Sequence, residues 1–91
     1  MDKTRIRFLI TGEVQGVGFR YRARYAASAF GITGWVRNEW DGSVVMEAQG
    51  TGEALDELIE AIGRGIYVRI ESIRKETLPL DPDESGFYIV D

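Results

Sequence analysis

The spacing of apolar residues changes repeatedly along this chain, and that alternation restricts the fold to a mixed α+β arrangement. Over residues 4–11, Ile6, Phe8 and Ile10 recur at every second position, which is typical of a strand with one buried face. From residue 19 the period becomes helical and ends at Gly31, as shown by Phe19, Ala23, Ala26, Ala27 and Phe30. The chain therefore begins with a predicted strand and a predicted helix.

The rest of the chain is predicted to contain a hairpin, a second helix and two more strands. Residues 33–38 and 43–50 are rich in β-formers and are separated by Asp41-Gly42, a hairpin turn signal. Thr51 is the predicted N-cap of a second helix that ends at Gly63. A fourth strand is predicted from Ile66, Val68 and Ile70 toward Thr77, where Ile73 falls out of phase and indicates a bulge or a change of face. Residues 79–86 form a predicted loop, and residues 87–90 a short closing strand.

This βαββαβ order predicts an α+β, ferredoxin-like split β-α-β fold, with two helices on one face of an antiparallel sheet and a short C-terminal strand. A length of 91 residues suits one domain, and we expect it to span residues 1–91. No segment resembles a signal peptide or a membrane span, so we expect a cytoplasmic protein, and a monomer.

Absent residue types exclude several chemistries. The chain contains no histidine and no cysteine, which removes Ser-His-Asp and Cys-His nucleophiles, thiol redox centres and Cys/His zinc sites. Three carboxylates, Glu13, Glu39 and Asp41, lack the spacing of a metal site or an acid/base pair, and turn chemistry accounts for Asp41. We expect no metal.

Charge is distributed unevenly. Residues 1–40 carry 7 basic and 3 acidic side chains, whereas residues 41–91 carry 4 basic and 12 acidic ones. The positive charge is expected to gather around Arg20, Arg22 and Arg24, with Arg5 and Arg7 on the preceding strand. Such a local cluster on an acidic chain favours a small anion over a nucleic acid.

A glycine-rich segment, G-E-V-Q-G-V-G-F-R from Gly12 to Arg20, joins the first strand to the first helix. A glycine turn that feeds a helix start directs several backbone N–H groups to one point, and Arg20 adds a cation there. An ordinary flexible connection and a solvated surface arginine are the simpler alternatives. A cation at the positive end of a helix is unfavourable unless an anion is present, so we favour an anion site, with phosphate as the ligand.

Other polar and aromatic residues are less distinctive. Asn38 occurs where asparagine commonly ends a strand, although its amide can both donate to and accept from a water molecule. Isolated aromatics on strands and helices usually pack, so we assign Trp35 to the core and Trp40 to the hairpin surface. Tyr21 and Tyr25 are interpreted in the same way, and not as a base-stacking platform.

Two linked motifs resemble the acylphosphatase family: Gly12 to Arg20, and G-I-T-G-W-V-R-N-E-W-D-G-S-V from Gly31 to Val44. The resemblance continues through the second helix and implies the ferredoxin-like fold. It also implies hydrolysis of carboxyl-phosphate anhydrides such as acyl phosphates, without a metal or an organic cofactor. Carried over by position, it implies that the backbone amides of the phosphate-binding segment hold the phosphate, that Arg20 binds it and that Asn38 orients the attacking water. That segment comprises Gln15, Gly16, Val17, Gly18, Phe19 and Arg20.

The chain departs from the family pattern at residues 63–67, which lack the usual Gly-Pro and small-residue pattern, and at Thr11, where several members carry histidine. Two other functions share the predicted fold. One is a module that binds carbamoyl phosphate or another anion without turnover. The other is an RNA-recognition module, which the acidic charge and the lack of an aromatic pair on residues 44–50 disfavour.

Overall fold

The secondary structure follows the predicted order. The computed structural model describes residues 2–90, so both terminal residues of the expected domain lie outside it. Its elements are β1 (Lys3–Glu13), α1 (Phe19–Phe30), β2 (Thr33–Asn38), β3 (Val44–Thr51), α2 (Gly52–Gly63), β4 (Arg69–Leu78) and β5 (Phe87–Ile89). The ferredoxin-like fold is confirmed, with the Thr51 hydroxyl capping α2 by accepting from the Ala54 N–H at 3.1 Å.

One five-stranded sheet organises the molecule, in the order β4-β1-β3-β2-β5. The first four strands in that order pair antiparallel, whereas β5 pairs parallel to β2. The sheet is therefore mixed, and the short last strand lies at its edge beside β2. No helix within residues 2–90 is long and apolar enough to cross a membrane.

The core lies between both helices and one face of the sheet. Phe8 pairs with Met46, and Met46 with Val36, so these three side chains share that face and are fully buried. The helices contribute the apolar residues spaced by their 3.6-residue period. Those that join the buried cluster are Phe19, Ala23, Ala27, Leu55, Leu58 and Ile62.

The opposite face of the sheet carries a network of ion pairs. Arg5 is 6% exposed, and its guanidinium contacts Glu84 at 2.7 Å and Glu47 at 3.0 Å. The hydrogen bond that Arg5 donates to Glu84 is the main reason why the pKa of Arg5 is raised, and the bond to Glu47 adds to it. Arg7 also contacts Glu47, at 2.9 Å. Arg5 and Arg7 lie on the strand before the glycine turn, as predicted, but the alternation of β1 places their side chains on the face away from the helices.

Trp35 lies on this second face as well, and its assignment to the core was wrong. It is half-buried, with the Arg37 guanidinium 5.2 Å from the centre of its ring. Its neighbour Val36 fills the core instead, since adjacent strand residues face opposite ways. Trp40 is 97% exposed at the hairpin, as predicted.

The fourth strand begins later than predicted. β4 starts at Arg69, while Ile66 and Tyr67 lie in the preceding turn and are 90% and 72% exposed. The predicted bulge is confirmed, because Gly12 pairs with Ile70 and Thr11 with Ser72, which leaves one extra residue on β4. That residue turns Ile73 onto the same side as Ile70, and both pack against the core.

Candidate active site

The connection from β1 to α1 has the backbone geometry of an anion-binding nest. Gly16 has φ 72° and Gly18 has φ 83°, and among the described residues positive φ occurs only at glycine. The sign of φ therefore alternates along residues 15–19. This alternation is the geometry in which successive peptide N–H groups point into one concavity. We call residues 15–20 the phosphate loop.

The N–H groups of the phosphate loop have no acceptor within residues 2–90. No hydrogen bond among residues 2–90 is donated by the backbone of residues 15–18. The first helical hydrogen bond runs from the Arg22 N–H to the Gly18 carbonyl at 3.0 Å, so the earlier N–H groups of α1 are also free. The helix start has no side-chain cap and no acidic residue in its first turn. This end of α1 thus presents unused donors and a positive dipole to an anion.

Arg20 and Asn38 open onto the same cleft. Arg20 is the second residue of α1 and forms no ion pair with any residue that the structure describes. The cleft has a volume of about 240 Å³ and lies between α1 and the end of β2. The residues lining it are Val14, Gly16, Gly18, Phe19, Arg20, Tyr21 and Asn38.

Asn38 carries an unsatisfied acceptor at this cleft. It pairs with the buried Val44, so its side chain lies on the helix side of the sheet. Its Oδ1 atom is buried and accepts no hydrogen bond from residues 2–90. A buried acceptor without a partner costs about 1–3 kcal/mol. An acceptor kept at that cost beside an anion-binding nest is suited to holding a water molecule or a substrate group.

The other loop residues have different contacts. Gln15 and Val17 do not line the cleft. The Gln15 side chain donates to the Glu39 and Ser43 carbonyls at 2.6 and 2.8 Å, and Val17 packs against the core. In these two residues only the backbone N–H group is able to donate a hydrogen bond to an anion.

The neighbouring arginines of α1 are separate from the cleft. Arg24 lines an exposed groove together with Tyr25. Arg22 is half-buried, and a Cβ atom on Gly65 would lie 2.8 Å from its Nε. Of the three arginines at the start of α1, Arg20 alone lines the cleft.

Two lining residues were not among the predicted site residues. Val14 is fully buried and forms an apolar wall, and Tyr21 is 60% exposed at the rim. The position of Tyr21 directly after Arg20 at the start of α1 could have predicted that it lines the site. The interpretation of Tyr21 as a packing residue overlooked this adjacency.

The nearby carboxylates take structural roles. Glu39 pairs with Arg37 at 3.2 Å. Asp41 accepts from the Ser43 hydroxyl at 2.6 Å and from the Ser43 N–H at 3.0 Å, and these bonds lower the pKa of Asp41. Within residues 2–90 there is no group of at least 3 His, Cys, Asp or Glu side chains placed to hold a metal ion.

The fold and the cleft together define a ferredoxin-like α+β domain with a cleft at a helix start, whose free N–H groups and arginine suit a compact anion. Comparison with known proteins identifies the family to which this domain belongs. The family model for acylphosphatases matches residues 6–89. The chain is 49% identical over 77 residues to an acylphosphatase of Salinibacter ruber, an alignment that covers 85% of this chain and 77% of that protein.

Solved structures show the same likeness. The crystal structure of acylphosphatase from Bacillus subtilis matches with a TM-score of 0.88 and 32% identity, covering 97% of this chain and 99% of that one. Full-length HypF matches with a TM-score of 0.87 and 24% identity over 12% of its length, which shows the shared fold alone. The chain belongs to the acylphosphatase family, and its activity is the hydrolysis of acyl phosphates.

Proposed function

We propose that the phosphate loop and Arg20 hold the phosphate of an acyl phosphate while Asn38 orients the water molecule that attacks it. The observation that carries this proposal is the shared cleft. The cleft of about 240 Å³ is lined by Gly16, Gly18, Phe19, Arg20 and Asn38. Within residues 2–90 the N–H groups of the loop have no acceptor, the Arg20 guanidinium forms no ion pair and the Asn38 Oδ1 atom accepts no hydrogen bond.

The charge of the site suits the reacting phosphoryl group. In phosphoryl transfer, negative charge is spread over the equatorial oxygens, and catalysis consists mainly of positioning and charge stabilisation. Backbone donors and the Arg20 fork supply both functions. Charge-assisted hydrogen bonds of this kind contribute about 1.5–3 kcal/mol each.

The leaving group explains why no histidine is needed. Cleavage of the phosphorus–oxygen bond releases a carboxylate, a weak base that departs without a proton. The Asn38 carboxamide can accept from the water and hold it in line without acting as a base. In our proposal a phosphate oxygen takes the proton that the water loses.

We further propose that residues 1–91 act as one domain, as a cytoplasmic monomer, on small-molecule acyl phosphates, without nucleic acid, metal or organic cofactor. The cleft is built from one chain, and the net charge of −4 disfavours polyanions. Sedimentation of the active chain should give the mass of one copy, and EDTA should leave turnover unchanged. Activity confined to a dimer, or abolished by the chelator, would contradict this part of the proposal.

The test is hydrolysis of benzoyl phosphate by the purified chain with no partner added. We expect Arg20→Ala to lower kcat/KM by about 10²-fold or more, the scale of losing a principal oxyanion donor. Arg24→Ala is the matched control, because Arg24 lies one turn along the same helix but outside the cleft. The activity of this variant should stay near that of the unmodified chain.

Asn38→Ala should lower kcat while inorganic phosphate still inhibits with an unchanged Ki, because the water and not the phosphate loses its partner. An equal loss of phosphate affinity would reassign Asn38 to phosphate binding. An unmodified chain that binds phosphate without hydrolysing acyl phosphates would be a non-catalytic anion-binding module.

A further inference from the structure

We propose that Gln15 is a positioning residue whose side chain sets the spacing between the phosphate loop and Asn38. The Gln15 Nε2 atom donates to the Glu39 carbonyl at 2.6 Å and to the Ser43 carbonyl at 2.8 Å. These two carbonyls belong to the residues that follow Asn38 in the β2–β3 hairpin. The inference rests on the proposed function, since it concerns how the two halves of that site are held together.

The sheet itself does not join these two halves. β1 leads into the phosphate loop and β2 ends at Asn38, but β3 lies between them. The pairing of β1 with β3 ends at Ile10 and Val44, and the last residues of β1 pair with β4 instead. Within residues 2–90 no strand pairing joins the loop to β2, so another contact must fix the distance between the loop and Asn38.

Gln15 supplies that connection. Among the described residues, its two hydrogen bonds are the only ones that link residues 14–18 with residues 38–43. Both carbonyls also close the hairpin, because Ser43 O accepts from the Glu39 N–H at 2.9 Å and Glu39 O accepts from the Gly42 N–H at 3.2 Å. The glutamine is thus attached to the two carbonyls that close the turn.

The chemistry of the contact calls for a primary amide. Two carbonyl acceptors need two donors from one atom, and the glutamine NH₂ group provides both. A carboxylate would face these carbonyls with oxygen only, and an alkyl or thioether chain of the same length would offer no donor. Positioning has a steep effect on rate, since a misplacement of about 1 Å can cost on the order of 10²-fold.

The experiment is a double-mutant cycle between Gln15→Met and Asn38→Ala, measured as kcat with benzoyl phosphate and Ki for inorganic phosphate. We expect Gln15→Met alone to lower kcat by about 10-fold or more with Ki changed less than about twofold. In the Asn38→Ala background the same change should alter kcat by less than about twofold, because the residue it positions is already gone.

Gln49 offers a matched control, as the other glutamine of the chain. It also makes two hydrogen bonds to a backbone segment, at 2.8 and 3.0 Å to Asp81, but on the face of the sheet away from the cleft. Gln49→Met should destabilise the fold without lowering kcat. If Gln15→Met does not unfold cooperatively, Gln15→Glu, which keeps the shape and lacks the donors, takes its place in the cycle.

The experiment distinguishes a failure of this inference from a failure of the proposed function. Losses of kcat that multiply in the double variant, or an unchanged kcat in the Gln15 variant, overturn the positioning role while leaving the proposed function intact. An Asn38→Ala variant with normal kcat overturns the proposed role of Asn38 itself, and with it the basis of the inference.

Discussion

Replacing Gly18 by alanine tests the backbone geometry on which the site depends. Gly18 is the N-cap of α1 with φ 83° and ψ 12°, and an added Cβ would meet no atom within 4 Å. The cost is therefore conformational and not steric. Holding a non-glycine residue in the left-handed region costs about 1–2 kcal/mol. Alanine also reduces the conformational entropy of the unfolded chain, which stabilises the folded state by about 0.4–1 kcal/mol and offsets part of that cost.

We expect Gly18→Ala to lower the free energy of unfolding by roughly 1 kcal/mol, equivalent to about 4–8 °C in Tm for a domain of this size. Activity should fall further, with kcat/KM reduced by about 10-fold or more, because relaxation of φ turns loop N–H groups away from the phosphate. Urea unfolding and benzoyl phosphate hydrolysis measure the two effects.

Gly63→Ala is the matched control for this substitution. Gly63 ends α2 with no positive φ and has the same open space around a Cβ. Alanine there should be neutral or stabilising by about 0.5–1 kcal/mol. A Gly18→Ala variant that is as stable and as active as the unmodified chain would refute the left-handed geometry of the loop.

Two further predictions concern stability away from the cleft. Glu84→Gln removes the charge that faces Arg5 at 2.7 Å and should lower the free energy of unfolding by about 1–3 kcal/mol in denaturant titrations, with kcat unchanged. Asp41→Asn should reduce stability at neutral pH but not in strong acid. The lowered pKa of Asp41 contributes stability that is present above its unfolded value of 3.8 and is lost as pH falls through the folded pKa. Urea titrations from pH 7 to about pH 2 should show the two chains converging, and a constant difference would contradict this account.

Periodicity was enough to predict most of the fold. β2 runs from Thr33 to Asn38 as predicted, because its bounds are set by a glycine stop before it and a turn signal after it. The bulge on β4 was also visible, since Ile70 and Ile73 cannot share a face in an unbroken strand. The segment from Gly12 to Arg20 indicated the loop on which the proposed anion site depends, because glycine is the residue that adopts positive φ without strain.

The errors come from interactions between distant parts of the chain. The burial of Arg5 depends on Glu84, which lies 79 residues away and reaches β1 only through the folded loop. Trp35 was assigned to the core because aromatic residues on strands usually pack, although the strand period gives the inner position to Val36. The start of β4 depends on where β1 offers a partner, and the first pair is Glu13 with Arg69.

The site residues also divide into those that the local sequence predicts and those that depend on contacts between distant residues. Arg20 follows directly from the local motif, whereas the contact of Gln15 with the hairpin joins residues that are 24 and 28 positions apart. Nothing in the local sequence specifies that contact. The burial of the Asn38 Oδ1 atom likewise depends on the fold, in which Asn38 lines a cleft with residues of α1.

The central claim is that the backbone N–H groups of residues 15–20 bind phosphate, and a ¹H–¹⁵N NMR titration with inorganic phosphate tests it most directly. The amide signals of residues 15–20 and the Arg20 side chain should shift together along one saturable curve, while Arg7 and Arg74 on the far side of the sheet stay unchanged. Shifts spread over the surface arginines, or an unperturbed phosphate loop at saturating phosphate, would contradict it.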